Sequence, residues 1–157
     1  MENAKQDIYE RLLKQIESLV AGETDETAVL ANVTAAMAEA FPHWLWTGFY
    51  LVRDGVLTVG PFQGPVACFH INKGRGVCGT AWERDETVVV HDVEKFPGHI
   101  ACSSLSRSEI VVPMHGADGG VVGVLDVDSP ELGTFDHVDR RYMEQIVLLI
   151  SARLYKK

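Results

Sequence analysis

The sequence predicts an α+β domain: a central antiparallel sheet flanked by N- and C-terminal helices. Three observations carry this. Apolar residues recur at steps of three and four near both ends of the chain. Runs rich in aromatic and β-branched residues fill the middle. The tight turns Arg53-Asp54-Gly55 and His115–Gly120 join consecutive runs, and strands joined so closely must be antiparallel. The chain of 157 residues suits one domain spanning 1–157. At that length a core can form without help from a metal or a disulfide.

Residues 1–41 read as two helices. Ile8, Leu12, Ile16, Leu19 and Val20 mark the apolar stripe of the first, which Gly22 ends. The second starts near Thr24 or Asp25, carries Val29, Leu30, Val33, Met37 and Phe41, and stops before Pro42. Residues 44–128 read as the sheet and its loops. "WLWTGFYLV" and "VLTVGPF" form a hairpin about Asp54-Gly55, a pair that tolerates the positive φ of a type I′ turn. Trp44, Trp46 and Tyr50 alternate along the first of these strands. "PVACFHI" reads as a third strand that includes Cys68. Glycines 74, 76 and 79 mark a loop entering a short helix over Val77–Glu83, with Trp82 in the core. "TVVVHDV" returns to strand, with His91 a core or edge residue. Glu94–Ser108 is irregular and long enough to be a functional loop. "EIVVPM" and "GVVGVLDV" are the last two strands. A helix over Phe135–Tyr155, capped by Asp136, presents Val138, Tyr142, Ile146, Ile150 and Leu154.

A net charge of −8 disfavours nucleic acid and anionic membrane surfaces as partners. The N-terminal segment has no apolar signal core, and no apolar run reaches the length of a membrane span, so a cytoplasmic location is expected. Three cysteines, Cys68, Cys78 and Cys102, make a poor disulfide framework for secretion. In a reducing compartment such thiols point to redox or metal chemistry. No two form a C-x-x-C pair, so only the fold can bring them together.

The acids complete the pattern. Asp126 and Asp128 lie two apart and so share one face of a strand. Pairing through the 115–120 turn sets Glu109 beside them, under the loop that carries Cys102. Three converging carboxylates can keep one member protonated near neutral pH. A thiolate can then attack an electrophile while a carboxylic acid donates to the departing oxygen. A second thiol can trap the resulting sulfenic acid as a disulfide, and either Cys68 or Cys78 is available for this. His99 or Arg107, near in sequence, would favour the Cys102 thiolate. Zinc held by four of Cys68, His70, Cys78, His99 and Cys102 is a rival reading, although the spacing matches no common zinc motif. Glu109 alone would read as a solvated strand end.

"GPFQGPVACFHINKGRGVCGTAW", "FPGHIACSSLSRSEIVVPM" and "GVVGVLDVDSPELGTFDHVD" resemble the GAF-type free methionine-(R)-sulfoxide reductases. The resemblance implies a single GAF domain that reduces free L-methionine (R)-S-oxide. It implies that Cys102 is the nucleophile that becomes a sulfenic acid, with Cys68 and Cys78 as the resolving and recycling thiols. Glu109, Asp126 and Asp128 would hold the substrate ammonium and engage the sulfoxide oxygen. Trp46 and Tyr50 would wall the methyl end. No bound cofactor is implied, and the partners are free methionine sulfoxide, an external thioredoxin-type reductant and a second copy in a homodimer. A non-catalytic GAF sensor of a small molecule or of redox state is the alternative.

Overall fold

In a computed structural model of the chain, which describes residues 2–99 and 104–156, a six-stranded antiparallel sheet is flanked by helices. Cys102 lies outside the described residues. Helices α1 (Glu2–Leu19) and α2 (Glu26–Ala40) come first. Asp25 caps α2, its carboxylate accepting from the Ala28 amide, as a capping residue at that position should. Strands β1 (Trp46–Arg53) and β2 (Val56–Gln63) form the expected hairpin, with φ of +50° at Asp54 and +80° at Gly55. Then follow β3 (His70–Ile71), α3 (Gly76–Arg84), β4 (Val88–Val90), a single 3₁₀ turn (Val93–Lys95), β5 (Ser108–His115) and β6 (Val121–Ser129). Helix α4 (His137–Leu154) closes the chain. Its capping box is reciprocal: Asp136 accepts from the first-turn amides, and Asp139 accepts from the Asp136 amide.

The strand order is β3-β2-β1-β6-β5-β4, so β6 lies at the centre, paired with β1 on one side and β5 on the other. Each central strand is buried on both faces. Phe49, Leu51, Ile110, Val112, Met114, Leu125 and Val127 face one core with α1, α2 and α4. Trp46, Tyr50, Val111 and Val124 face a smaller core with α3. That two-sided burial is why β1 and β5 read as continuous apolar runs rather than as alternating ones.

Five details differ from the sequence reading. The third strand shrinks to His70–Ile71, because only Leu57 and Thr58 of β2 pair with it, and Cys68 precedes it in irregular chain. Leu19 is exposed, since it lies off the buried stripe of Tyr9, Leu12, Ile16 and Val20. Trp44 lies before β1 and stacks on Phe41 in the helical core, so it does not share a face with Trp46 and Tyr50. Trp82 is half-buried beneath the Lys73 ammonium, and His91 is exposed.

Candidate active site

Strand register builds the site. Asp128 on β6 stands between Trp46 of β1 and Glu109 of β5. Two residues back, Asp126 stands between Gly48 and Val111. The period of two then puts Trp46, Tyr50, Glu109, Asp126 and Asp128 on a single face. Glycines bring α3 down onto that face. Gly74 and Gly76 adopt φ of +82° and +62°, which turns the chain sharply into the helix. A Cβ on Gly79 would lie 2.5 Å from the Asn72 carbonyl oxygen, so only glycine allows α3 to nest against its own entry turn. Val77, Cys78 and Ala81 are thereby buried against the sheet.

The resulting cavity is lined by Trp46, Tyr50, Cys78, Glu109, Asp126 and Asp128, together with Arg75, His99, Ser106 and the 65–67 segment. Two side-chain hydrogen bonds fix that segment over the cavity. Trp46 Nε1 donates to the Pro65 carbonyl (3.1 Å), and the Tyr50 hydroxyl donates to the Cys68 carbonyl (2.9 Å). The Trp46 and Tyr50 rings stack with centroids 5.8 Å apart, and Phe62 also stacks on Trp46 at 5.0 Å. An apolar wall thus faces an acidic floor.

The floor is buried. Glu109 is 6% exposed and Asp126 5% exposed. Burial and the neighbouring Asp126 and Asp128 charges push the Glu109 carboxyl well above the ordinary range. Asp128 is raised by burial and by Asp126, and a hydrogen bond from Ser106 Oγ to Asp128 Oδ1 (3.1 Å) partly offsets this. Burial also raises Asp126, opposed by hydrogen bonds from Glu109 and Cys78 and by His99. The triad therefore titrates as a unit that retains protons where isolated carboxyls would have lost them. Burial and the same acids push the Tyr50 hydroxyl up and the Cys78 thiol well up. Burial lowers His99.

The fold brings together Cys78, Glu109, Asp126, Asp128, Trp46 and Tyr50, of which the spacing argument gathers only the three acids. Glu109 is not a solvated strand end; it is enclosed between two aspartates. Cys68 is half-buried in the tethered segment and is disulfide-bonded, whereas Cys78 is a free buried thiol. Arg107 is exposed. Among the described residues the cysteine–histidine zinc set is not assembled. His70 is exposed and contacts Thr58, and the metal-compatible group among the described residues is Cys78, Glu109 and Asp126. Two lining residues with polar side chains escaped the sequence reading. Ser106 lay inside a serine-rich stretch with nothing to single it out, and Arg75 was read only as part of a glycine-rich loop.

The chain matches the GAF domain family over residues 23–154. GAF domain-containing protein A of Dictyostelium discoideum is 56% identical over 94% of this chain and 93% of its own length. The free methionine-R-sulfoxide reductase of Escherichia coli is 43% identical over 98% of this chain and 94% of that protein. The X-ray structure of free methionine-R-sulfoxide reductase from Neisseria meningitidis in complex with its substrate superposes with a TM-score of 0.92. It shares 53% identity and covers 95% of this chain and 89% of that one. The chain belongs to the GAF domain family and, within it, to the free methionine-R-sulfoxide reductases, which makes it an oxidoreductase acting on sulfur.

Proposed function

We propose that the chain reduces free L-methionine (R)-S-oxide to methionine with Cys102 as nucleophile. The observation that carries this reading is the buried, proton-retaining triad of Glu109, Asp126 and Asp128 opposite the Trp46–Tyr50 wall. A carboxylic acid of the triad donates to the sulfoxide oxygen and makes the sulfur more electrophilic. The Cys102 thiolate attacks that sulfur, and the oxygen passes to the cysteine. The products are methionine and a Cys102 sulfenic acid, so the substrate sulfur gains the two electrons the cysteine sulfur loses. The remaining carboxylates hold the substrate ammonium, while Trp46 and Tyr50 enclose its methyl end. Exclusion of peptides follows, because an acylated nitrogen offers no ammonium to a buried acid cluster.

Cys68 resolves the sulfenic acid. Its thiol attacks the Cys102 sulfur, a disulfide forms and water leaves. Two observations favour Cys68 over Cys78 in this step. Cys68 rides on the tethered segment at the cavity rim and carries a disulfide, whereas Cys78 is enclosed and its thiol is held protonated. A dithiol protein of the thioredoxin type then reduces the disulfide by exchange. The chain is read as one catalytic domain over 1–157, working in the cytoplasm and as a homodimer.

The deciding experiment is a thioredoxin-coupled assay with separated R and S sulfoxides, free and peptide-bound. Turnover of the free R form alone is expected. Equal turnover of both epimers, or of the peptide-bound form, would overturn the proposal.

A further inference from the structure

Among the described residues, the Cys78 thiol, which the proposed reaction does not use, converges with two of the carboxylates that it does use. Cys78 Sγ and one oxygen each from Glu109 and Asp126 lie within 4.8 Å of one another, and all three residues are buried. Asp126 Oδ1 adds an independent observation. It is a fully enclosed carboxylate oxygen with no hydrogen-bond partner, on a residue that is 5% exposed and lines the cavity. A buried acceptor left in that state is costly, and a ligand carrying positive charge would relieve it.

We propose that these three residues form a binding site for a zinc-like divalent cation, and that the bound ion keeps substrate out. The donor set selects the class of ion. A thiolate excludes hard cations such as Mg²⁺ and Ca²⁺, which take oxygen ligands. One sulfur with two carboxylate oxygens suits zinc, which accepts both and has no geometric demand beyond a tetrahedron. With Zn–S near 2.3 Å and Zn–O near 2.1 Å, tetrahedral donors stand roughly 3.5 Å apart, so the three atoms need only draw inward. His99 lines the same cavity and offers a nitrogen for the fourth position. Binding is a proton exchange: the Cys78 thiol proton and any carboxyl proton pass to solvent as the metal takes their place. Occupancy removes Glu109 and Asp126 from the reaction. Zinc would thus hold the reduced enzyme inactive, and sulfoxide would compete with it. Inhibition rests on the substrate site proposed above, whereas binding of the ion does not.

The test uses Co²⁺ as a spectroscopic stand-in for zinc, because a thiolate–cobalt bond gives a charge-transfer absorption. In a full-length chain carrying Cys68→Ser and Cys102→Ser, only Cys78 can supply the thiolate. One Co²⁺ per chain with that absorption is expected, displaced by one equivalent of Zn²⁺. Adding Cys78→Ser should abolish the absorption. Glu109→Gln, which preserves shape, should weaken Co²⁺ binding by about tenfold or more. Absence of the absorption, its survival in the Cys78→Ser chain, or unchanged affinity in the Glu109→Gln chain would overturn the proposal. Free methionine is the separate arm. Displacement of Co²⁺ by methionine supports both readings, and Co²⁺ binding indifferent to methionine upholds the metal site while overturning the substrate site.

Discussion

Glu109 is enclosed between Asp126 and Asp128, and ionising it there costs the fold free energy that the reaction can use. Its folded pKa is raised, so the folded state favours the protonated form. The associated stability is complete below the carboxyl's unfolded pKa and is lost as pH rises through the higher folded value. Glu109→Gln removes that dependence. Its melting temperature should exceed that of the wild type by a few degrees at neutral and alkaline pH, and the difference should vanish in acid. Turnover by the same variant should fall by about 10²–10⁴-fold. Calorimetry across pH checks the first statement, and parallel melting curves for the two proteins would refute it. Cys102→Ser should show no turnover at all in the coupled assay. The acid positions were legible in the sequence, because a period of two and a hairpin turn place Glu109, Asp126 and Asp128 together. The setting of Cys68 was not legible. Its neighbours have the apolar composition of a strand, but a strand also needs a partner, and β2 pairs with His70 and Ile71 and reaches no further back than the Phe69 carbonyl, which accepts from the Val59 amide.

At the scale of elements, the site depends on how α3 and the 65–68 segment are held over the sheet. Helix α3 was legible from its glycines, whose conformations follow from the turn they make. The tethers were not, because Trp46 Nε1 to Pro65 and Tyr50 to Cys68 span 19 and 18 residues and leave no local pattern. Tyr50→Phe deletes one tether and keeps the ring. The loss should cost about 1 kcal/mol. If Cys68 resolves Cys102, freeing its segment should also slow disulfide formation. After one turnover, trapping with a sulfenic-acid reagent should therefore detect more Cys102 sulfenic acid in Tyr50→Phe than in the wild type. Equal trapping would show that the tether does not position the thiol. Gly79→Ala tests the roof directly. Its Cβ would meet backbone at 2.5 Å, and the strain should cost about 1–3 kcal/mol in urea unfolding.

Across the whole molecule, the sheet separates two tasks. One face, with α3, carries the acids and the cavity, while the other is sealed by α1, α2 and α4. A buried polar network ties the sealed side together: Asp139, on the first turn of α4, accepts from the Tyr9 hydroxyl (2.5 Å) and from Lys5 Nζ (2.7 Å). Asp139 also accepts from the Asp136 amide, so one carboxylate joins α1 to the start of α4 and completes its cap. Asp139→Asn keeps the size and loses the charge. It leaves Lys5, a quarter exposed, without its closest anion, and it weakens two further hydrogen bonds. A loss of about 1–3 kcal/mol is expected. If the sheet insulates its two faces, kcat and KM measured well below the melting temperature should stay at the wild-type values. A matching fall in kcat would mean that the helical layer sets the geometry of the acid triad through the central strands. The division into a load-carrying face and a reacting face would then have to be abandoned.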